Sequence, residues 1–180
     1  MNIALIGYRG TGKSTVAKLL ASRLGWAWCD TDDEVQRASG RTIAQIFQDE
    51  GEPAFRELEA TALAESLQRD HVVLALGGGA VLREDSRERI RQHARTVWLR
   101  ASVDSIQQRL AQDPVSRMQR PDLTSQGGRI EIEQLLAARM AIYAACADWT
   151  IDTDHRTPAD ESIEIECWYR GLHQVGRSSE

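Results

Sequence analysis

Short runs that are almost entirely apolar recur along the chain, separated by longer segments with helical spacing. Continuous apolar character is typical of a strand that is buried on both faces of a sheet. The predicted strands are Asn2–Ile6, Trp26–Cys29, His71–Leu76, Arg95–Leu99 and Trp149–Ile151.

Helices are predicted between these strands, where apolar residues recur every three or four positions. They are Lys13–Leu24, Thr42–Gln68, Ser102–Gln112, Gly128–Ala147 and a last helix from Pro158 to about Arg170. We expect Gly51 and Pro53 to divide the second helix into two. Ser102 suits an N-cap and Pro158 the first turn of a helix. Strands that alternate with helices predict an α/β fold with a parallel sheet covered on both faces.

Composition narrows the class of protein. A length of 180 residues suggests one domain, and we expect it to span residues 1–173, with a disordered tail at 174–180. The net charge of −5 lacks the basic field of general nucleic-acid binders, so no nucleic-acid partner is expected. The opening run MNIALIG is too short to cross a membrane and has no basic residues of a leader. We therefore expect a cytoplasmic monomer without membrane contact.

The first predicted strand leads directly into the glycine-rich loop GYRGTGKST. It contains Gly7, Gly12, Lys13 and Ser14 in the spacing G-x-x-x-x-G-K-[ST], between a strand and a helix. Glycines let backbone N–H groups approach phosphate closely, and the helix start adds further unsatisfied N–H groups. Lysine can reach the outer phosphates and serine can bind Mg²⁺, so the loop predicts a site for a nucleoside triphosphate with magnesium.

Candidate catalytic acids follow the second predicted strand. Asp30 and Asp32 stand where parallel strands of an open sheet present their ligands. In an extended chain the two carboxylates would point to one side, one toward a metal ion and the other toward an acceptor hydroxyl. The alternative is that the run DTDD only caps the next helix.

Glycines and arginines supply candidate groups for an anionic substrate. Gly77, Gly78 and Gly79 end the third predicted strand, where bare backbone can support a ligand. Arg56 and Arg139 can each form forked hydrogen bonds to a carboxylate. The alternatives are a flexible turn for the glycines and solvated surface positions for the arginines.

The polar segment at residues 113–127 is predicted to be a mobile lid. It contains Arg117 and Arg120, and a closing arginine would offset the charge on a γ-phosphoryl group.

Together these motifs resemble the shikimate kinase family. From Met1 to about Pro158 they occur in the family's order and spacing: GYRGTGKST, CDTDDEV, IFQDEGEPAFRELE, LALGGGAVL, RPDL and ARMAIYAACADWTIDT. The resemblance implies a three-layer P-loop NTPase-type domain similar to nucleoside-monophosphate kinases. Its five-stranded parallel sheet would be flanked by helices, with a substrate-binding region at about 31–62 and a mobile lid. It also implies ATP-dependent phosphorylation of the 3-hydroxyl of shikimate, with Mg²⁺, in chorismate and aromatic amino-acid biosynthesis.

The resemblance further implies a role for each matched residue. The implied nucleotide-binding residues are Gly10, Thr11, Gly12, Lys13, Ser14, Thr15, Arg109, Arg120, Arg156 and Pro158. The implied shikimate-binding residues are Asp32, Arg56, Gly77, Gly78, Gly79 and Arg139. Ser14 and Asp30 would serve the metal ion, the latter through water. Lys13, Asp32 as the base, and Arg120 in the lid would be catalytic.

Two features of the lid depart from the family's pattern. Asp122 follows a proline where the family usually has a small or apolar residue, and a slightly long lid leaves open whether Arg117 or Arg120 contacts phosphate. Two other functions are compatible with the phosphate-binding loop: a gluconate-type kinase, and a non-catalytic nucleotide-binding module. The family motifs argue against the first, and the presence of Lys13 and Asp32 against the second.

Overall fold

The computed structural model describes residues 1–112 and 128–175 of the chain. Its centre is a single five-stranded sheet in the order β2-β3-β1-β4-β5, in which every neighbouring pair is parallel. The strands are β1 Asn2–Ile6, β2 Ala27–Asp30, β3 Val72–Ala75, β4 Ala94–Arg100 and β5 Trp149–Asp152. This arrangement confirms the predicted five-stranded parallel sheet.

Strand β1 has the predicted bounds, whereas each of the other strands differs from its prediction by one residue at one or both ends. The starts of β3 and β2 have local causes. His71 has a φ of 58°, in the left-handed region, so β3 begins only at Val72. The backbone N–H of Trp26 bonds to the carbonyl of Ala21 at the end of the preceding helix, so β2 begins at Ala27. At its other end β2 continues to Asp30, which pairs with Ala75 of β3.

Helices connect and cover the strands. They are α1 Lys13–Leu24, α2 Thr31–Ser39, α3 Ile43–Leu67, α4 Glu84–His93, α5 Val103–Gln112, α6 Gly128–Cys146 and α7 Pro158–Val175. Within α3, Gly51 has the non-helical angles φ 80° and ψ 177°, which confirms the predicted break before Pro53. The side chain of Ser102 accepts a hydrogen bond from the N–H of Ser105 at 3.2 Å, as predicted for an N-cap of α5.

The sheet is covered on both faces, which explains its apolar strands. Along β1, Ile3 and Leu5 belong to one core cluster, whereas Ala4 and Ile6 belong to the other. Successive residues of a strand point to opposite faces, so a strand between two cores is apolar throughout. Helices α1 and α7 contribute to the first cluster, and α3, α4 and α6 to the second.

The carboxyl-terminal helix is longer than predicted. Instead of ending near Arg170, α7 passes through Gly171 and continues to Val175, two residues into the segment that was expected to be a tail. The remainder of that segment, and the predicted lid with Arg117, Arg120 and Asp122, lie outside the described residues. No helix in the described part of the chain is both long enough and apolar enough to cross a membrane.

Candidate active site

The glycine-rich loop joins β1 to α1 and has backbone geometry that requires glycine. Gly7 has a φ of 140°, and a Cβ there would lie 2.5 Å from the carbonyl oxygen of Leu99 on β4. Gly12 is the N-cap of α1 with a φ of 89°, again in the left-handed region. The loop is therefore held against the carboxyl ends of β1 and β4 in a conformation open to few other residues.

The side chain of Lys13 lies inside this loop. Its Nζ donates hydrogen bonds to the carbonyl oxygens of Gly7, at 2.9 Å, and Tyr8, at 2.8 Å. The side chain is largely buried, with 9% of its residue surface exposed. The ammonium group is thus held inside the loop by two backbone carbonyl groups.

Asp30 links the loop to the tip of β2. Its Oδ2 accepts a hydrogen bond from the Oγ of Ser14 at 2.5 Å, and its Oδ1 accepts from the N–H of Asp32 at 3.0 Å. The second contact caps α2, so the helix-capping interpretation of DTDD holds for Asp30. The expected extended pair was wrong, because α2 begins at Thr31 and places Asp32 in its first turn. Both carboxylates nevertheless line the same cleft.

Thr31, which the sequence did not single out, ties two strand tips together. Its Oγ1 accepts a hydrogen bond from the N–H of Gly77 at 2.9 Å and lies 3.5 Å from the carbonyl oxygen of Ala75. The side chain is fully buried. This contact fixes the start of the glycine run, Gly77 to Gly79, beside the two aspartates.

Helix α6 fixes the position of the glycine run through two hydrogen bonds to Gly78. The carbonyl oxygen of Gly78 accepts hydrogen bonds from the hydroxyl of Tyr143, at 2.6 Å, and from Nη1 of Arg139, at 3.3 Å. Burial raises the pKa of Tyr143 to about 12, so its hydroxyl stays protonated and can donate. The Arg139 guanidinium is buried and lies over the ring of Tyr8, with its Cζ 5.9 Å from the ring centre.

Arg56 reaches the same run from α3. Its Nη1 donates to Glu59 at 2.7 Å, and its Nη2 donates to Glu52 at 2.7 Å. A Cβ on Gly79 would lie only 2.2 Å from Nη1 of Arg56, so the guanidinium rests directly on the glycine backbone. Since Glu59 is almost fully buried, this ion pair is largely shielded from water.

One cleft of about 630 Å³ runs along these strand tips. The predicted residues that line it are Gly10, Thr11, Gly12, Lys13, Ser14, Thr15, Asp30, Asp32, Gly77, Gly78, Arg109, Arg156 and Pro158. Arg56, Gly79 and Arg139 are not among the residues that line it. Arg56 lies against Gly79, and Arg139 donates to the carbonyl oxygen of Gly78, which does line the cleft. Arg120 lies outside the described residues.

The far end of the cleft is built from α5, α7 and the segment after β5. Arg109 donates to the Oγ1 of Thr153, at 2.9 Å, and to its carbonyl oxygen, at 2.6 Å. Arg156 forms an ion pair with Glu164. Both arginines line the cleft together with Pro158. The nucleotide-binding role of these three residues stays a prediction.

Several lining residues were not predicted as site residues, although some of them belong to the quoted motifs. They are Arg9, Lys18, Trp28, Asp33, Ile43, Leu76, Leu110 and Glu161. Arg9 pairs at 2.8 Å with Glu131 on α6, a carboxylate with none of its side-chain surface exposed. The two residues are 122 positions apart, so only the folded chain reveals the pair.

Comparison with known proteins places this chain in a family. The family model described as Shikimate kinase matches residues 9–167. Shikimate kinase from Rhodopirellula baltica is 44% identical over 164 residues, covering 91% of this chain and 88% of that protein. Shikimate kinase from Pseudomonas syringae pv. tomato is 41% identical over 164 residues, or 91% of this chain and 93% of that protein.

Solved structures agree. Shikimate kinase from Acinetobacter baumannii in complex with shikimate superposes with a TM-score of 0.88 at 34% identity, covering 95% of this chain and 93% of that one. A gluconokinase from Sinorhizobium meliloti has a TM-score of 0.60 at 15% identity, over 99% of this chain and 97% of that one, and shares only the fold. With the loop, the paired strand-tip acids and the arginines behind the glycine run all in place, the chain belongs to the shikimate kinase family.

Proposed function

We propose that the chain transfers the γ-phosphoryl group of ATP to the 3-hydroxyl of shikimate, within chorismate and aromatic amino-acid biosynthesis. The observation that carries this proposal is the single cleft that joins Lys13 and the phosphate-binding loop to Asp32 at the tip of β2. Phosphoryl transfer depends mainly on positioning and on neutralising charge, and this cleft provides groups for both.

The loop side of the cleft would hold the triphosphate. Backbone N–H groups at the start of α1 face an anion with the positive end of the helix dipole. Lys13 would exchange its contacts to the loop carbonyls for the outer phosphate oxygens. Arg120, or Arg117 in its place, is proposed to add a second cation from the lid, on the basis of the sequence motif alone.

Ser14 and Asp30 are suited to help hold Mg²⁺. The hydroxyl and the carboxylate already lie 2.5 Å apart, and both are hard oxygen ligands of the kind that Mg²⁺ prefers. In the part of the chain that the structure describes, no group of three or more acidic, histidine or cysteine side chains could hold a metal. A magnesium ion bound by one or two protein oxygens would take phosphate and water as its other ligands. When bound, the ion would neutralise charge on the phosphate oxygens.

Asp32 is placed to act on the acceptor. We assign it to the 3-hydroxyl, which it would orient and whose proton it would accept. The hydroxyl oxygen then forms a bond to the γ-phosphorus while the bond from that phosphorus to the β–γ bridging oxygen breaks. The products are ADP and shikimate 3-phosphate, and the proton on Asp32 passes to solvent.

Arg56 and Arg139 are proposed to bind the shikimate carboxylate. They approach the glycine run from two different helices, Arg56 at Gly79 and Arg139 at Gly78. Two guanidinium groups that converge on bare backbone can form the forked, charge-assisted hydrogen bonds that suit a carboxylate. We place the reaction in the cytoplasm, because the three cysteines are free and suit a reducing compartment.

A coupled assay of ADP release tests the proposal. Purified protein with ATP and Mg²⁺ is given shikimate, gluconate or no acceptor. Shikimate alone should give rapid ADP release. Faster release with gluconate, or a rate independent of any acceptor, would contradict the assignment.

A further inference from the structure

The first turn of α7 places a buried carboxyl group in the wall of the nucleotide end of the cleft. The residue is Glu161, with 2% of its surface exposed, and it lines the cleft together with Pro158. Its backbone N–H bonds to the carbonyl of Thr157 at 3.1 Å, so the helix fixes its position. Glutamates are almost never this deeply buried unless they are paired.

No described residue donates a hydrogen bond to Oε2 of Glu161. Two arginines are near enough to attract it electrostatically, but their hydrogen bonds go elsewhere: Arg109 donates to Thr153, and Arg156 to Glu164. Burial raises the pKa of Glu161 to about 7 against the opposing pull of these arginines. A buried acceptor in this state is costly unless a donor arrives with a ligand.

The surroundings of Glu161 indicate which donor fits. Arg109, Leu110 and Pro158 line the same cleft, and their side chains are a planar guanidinium, an apolar chain and an apolar ring. Such surfaces stack well on a planar heteroaromatic ring. The phosphate-binding loop lies in the same cleft, so a nucleotide with its phosphates there can place its base at this end.

We propose that Glu161 is a specificity-determining residue that accepts a hydrogen bond from the exocyclic amine of the adenine base. The inference rests on the proposed function only in that ATP must bind in this cleft. The carboxylate would then favour a purine that carries an amine at position 6 over one that lacks it.

The test compares ATP with purine riboside 5′-triphosphate, which lacks only the 6-amine, by titration calorimetry in the presence of Mg²⁺. The wild-type protein should bind ATP about tenfold more tightly, as expected for one charge-assisted hydrogen bond. Glu161→Leu removes the acceptor and should bind the two nucleotides equally. Glu161→Gln keeps a neutral acceptor and should retain a preference of about threefold, since neutral hydrogen bonds are roughly half as strong.

Glu166→Gln is the matched control. Glu166 lies on the same helix but pairs with Arg23, at 2.6 Å, and Arg170, at 2.9 Å, and does not line the cleft. This variant should keep the wild-type ratio. Circular dichroism checks folding, and if Glu161→Leu does not fold, the Glu161→Gln ratio decides.

Three results would overturn the inference: no wild-type preference for ATP, an unchanged ratio in a folded Glu161 variant, or a Glu161 variant whose only change is a lost preference for ATP over 2′-deoxy-ATP. The last would show that the residue contacts the sugar. These binding ratios test the inference even if the protein does not phosphorylate shikimate. A lack of shikimate phosphorylation would contradict only the proposed function.

Discussion

Replacing Gly79 with alanine tests the contact between the glycine run and Arg56. The backbone of Gly79 lies outside the left-handed region, so its conformation does not exclude alanine. The new methyl group would lie 2.2 Å from Nη1, 2.5 Å from Cζ and 2.7 Å from Nη2 of Arg56. These distances are far below van der Waals contact, so the guanidinium must move.

Moving the guanidinium weakens its 2.7 Å hydrogen bond to Glu59, a carboxylate with 3% of its side chain exposed. A hydrogen bond to a charged group contributes about 1.5–3 kcal/mol, so Gly79→Ala should lower the free energy of unfolding by about 2 kcal/mol. If Arg56 binds the shikimate carboxylate, the KM for shikimate should rise about tenfold or more, because about 1.4 kcal/mol corresponds to a factor of ten.

Urea unfolding and the coupled ADP-release assay measure the two effects. Gly78→Ala is the steric control for stability: its Cβ would meet nothing closer than 3.5 Å, so it should cost far less. In an Arg56→Ala background, Gly79→Ala should have little further effect on either quantity. An equal cost with and without the arginine side chain would refute this reasoning.

Three further predictions concern other groups in the cleft. Lys13→Ala should abolish turnover in the ADP-release assay, because the outer phosphates lose their cation; a near-normal kcat would exclude that role. Asp32→Asn should lower kcat strongly in a protein that stays folded by circular dichroism, whereas an effect on the KM for shikimate alone would make Asp32 a binding group only. Glu161 has a pKa raised from 4.5 in the unfolded chain to about 7, so its contribution to stability is present at low pH and is lost as the pH rises through 7. The free energy of unfolding of Glu161→Gln, relative to that of the wild type, should therefore increase by up to about 3 kcal/mol between pH 4 and pH 8.5. A difference between the two proteins that does not change with pH would contradict the assigned burial.

Features with a local cause were predictable from the sequence. Buried parallel strands need apolar side chains on both faces, so the run around Ile3 and Leu5 identified β1 without ambiguity. The break in α3 was predictable from Gly51. The phosphate-binding loop was predictable from the spacing of its glycines, lysine and serine, which few other structures require.

Features that depend on packing were not predictable. Helix α4 was missed because most of its residues are charged or polar, and only Ser86 and Ile90 are buried. Asp30 and Asp32 were expected in an extended chain, but the hydrogen bond between them begins a helix. Glu161 in the first turn of α7 has the sequence signature of an ordinary surface charge near a helix start. Its burial was therefore not predictable from its position in the sequence.

The central claim is that one cleft brings the γ-phosphoryl group and the 3-hydroxyl of shikimate together beside Asp32. A crystal structure with shikimate, Mg²⁺ and a non-hydrolysable ATP analogue measures this directly. The account predicts that the hydroxyl oxygen lies about 3–3.5 Å from the γ-phosphorus, within hydrogen-bonding distance of Asp32, and that Arg56 and Arg139 contact the carboxylate. An acceptor bound with its carboxylate away from both arginines, or with its 3-hydroxyl away from Asp32, would contradict it.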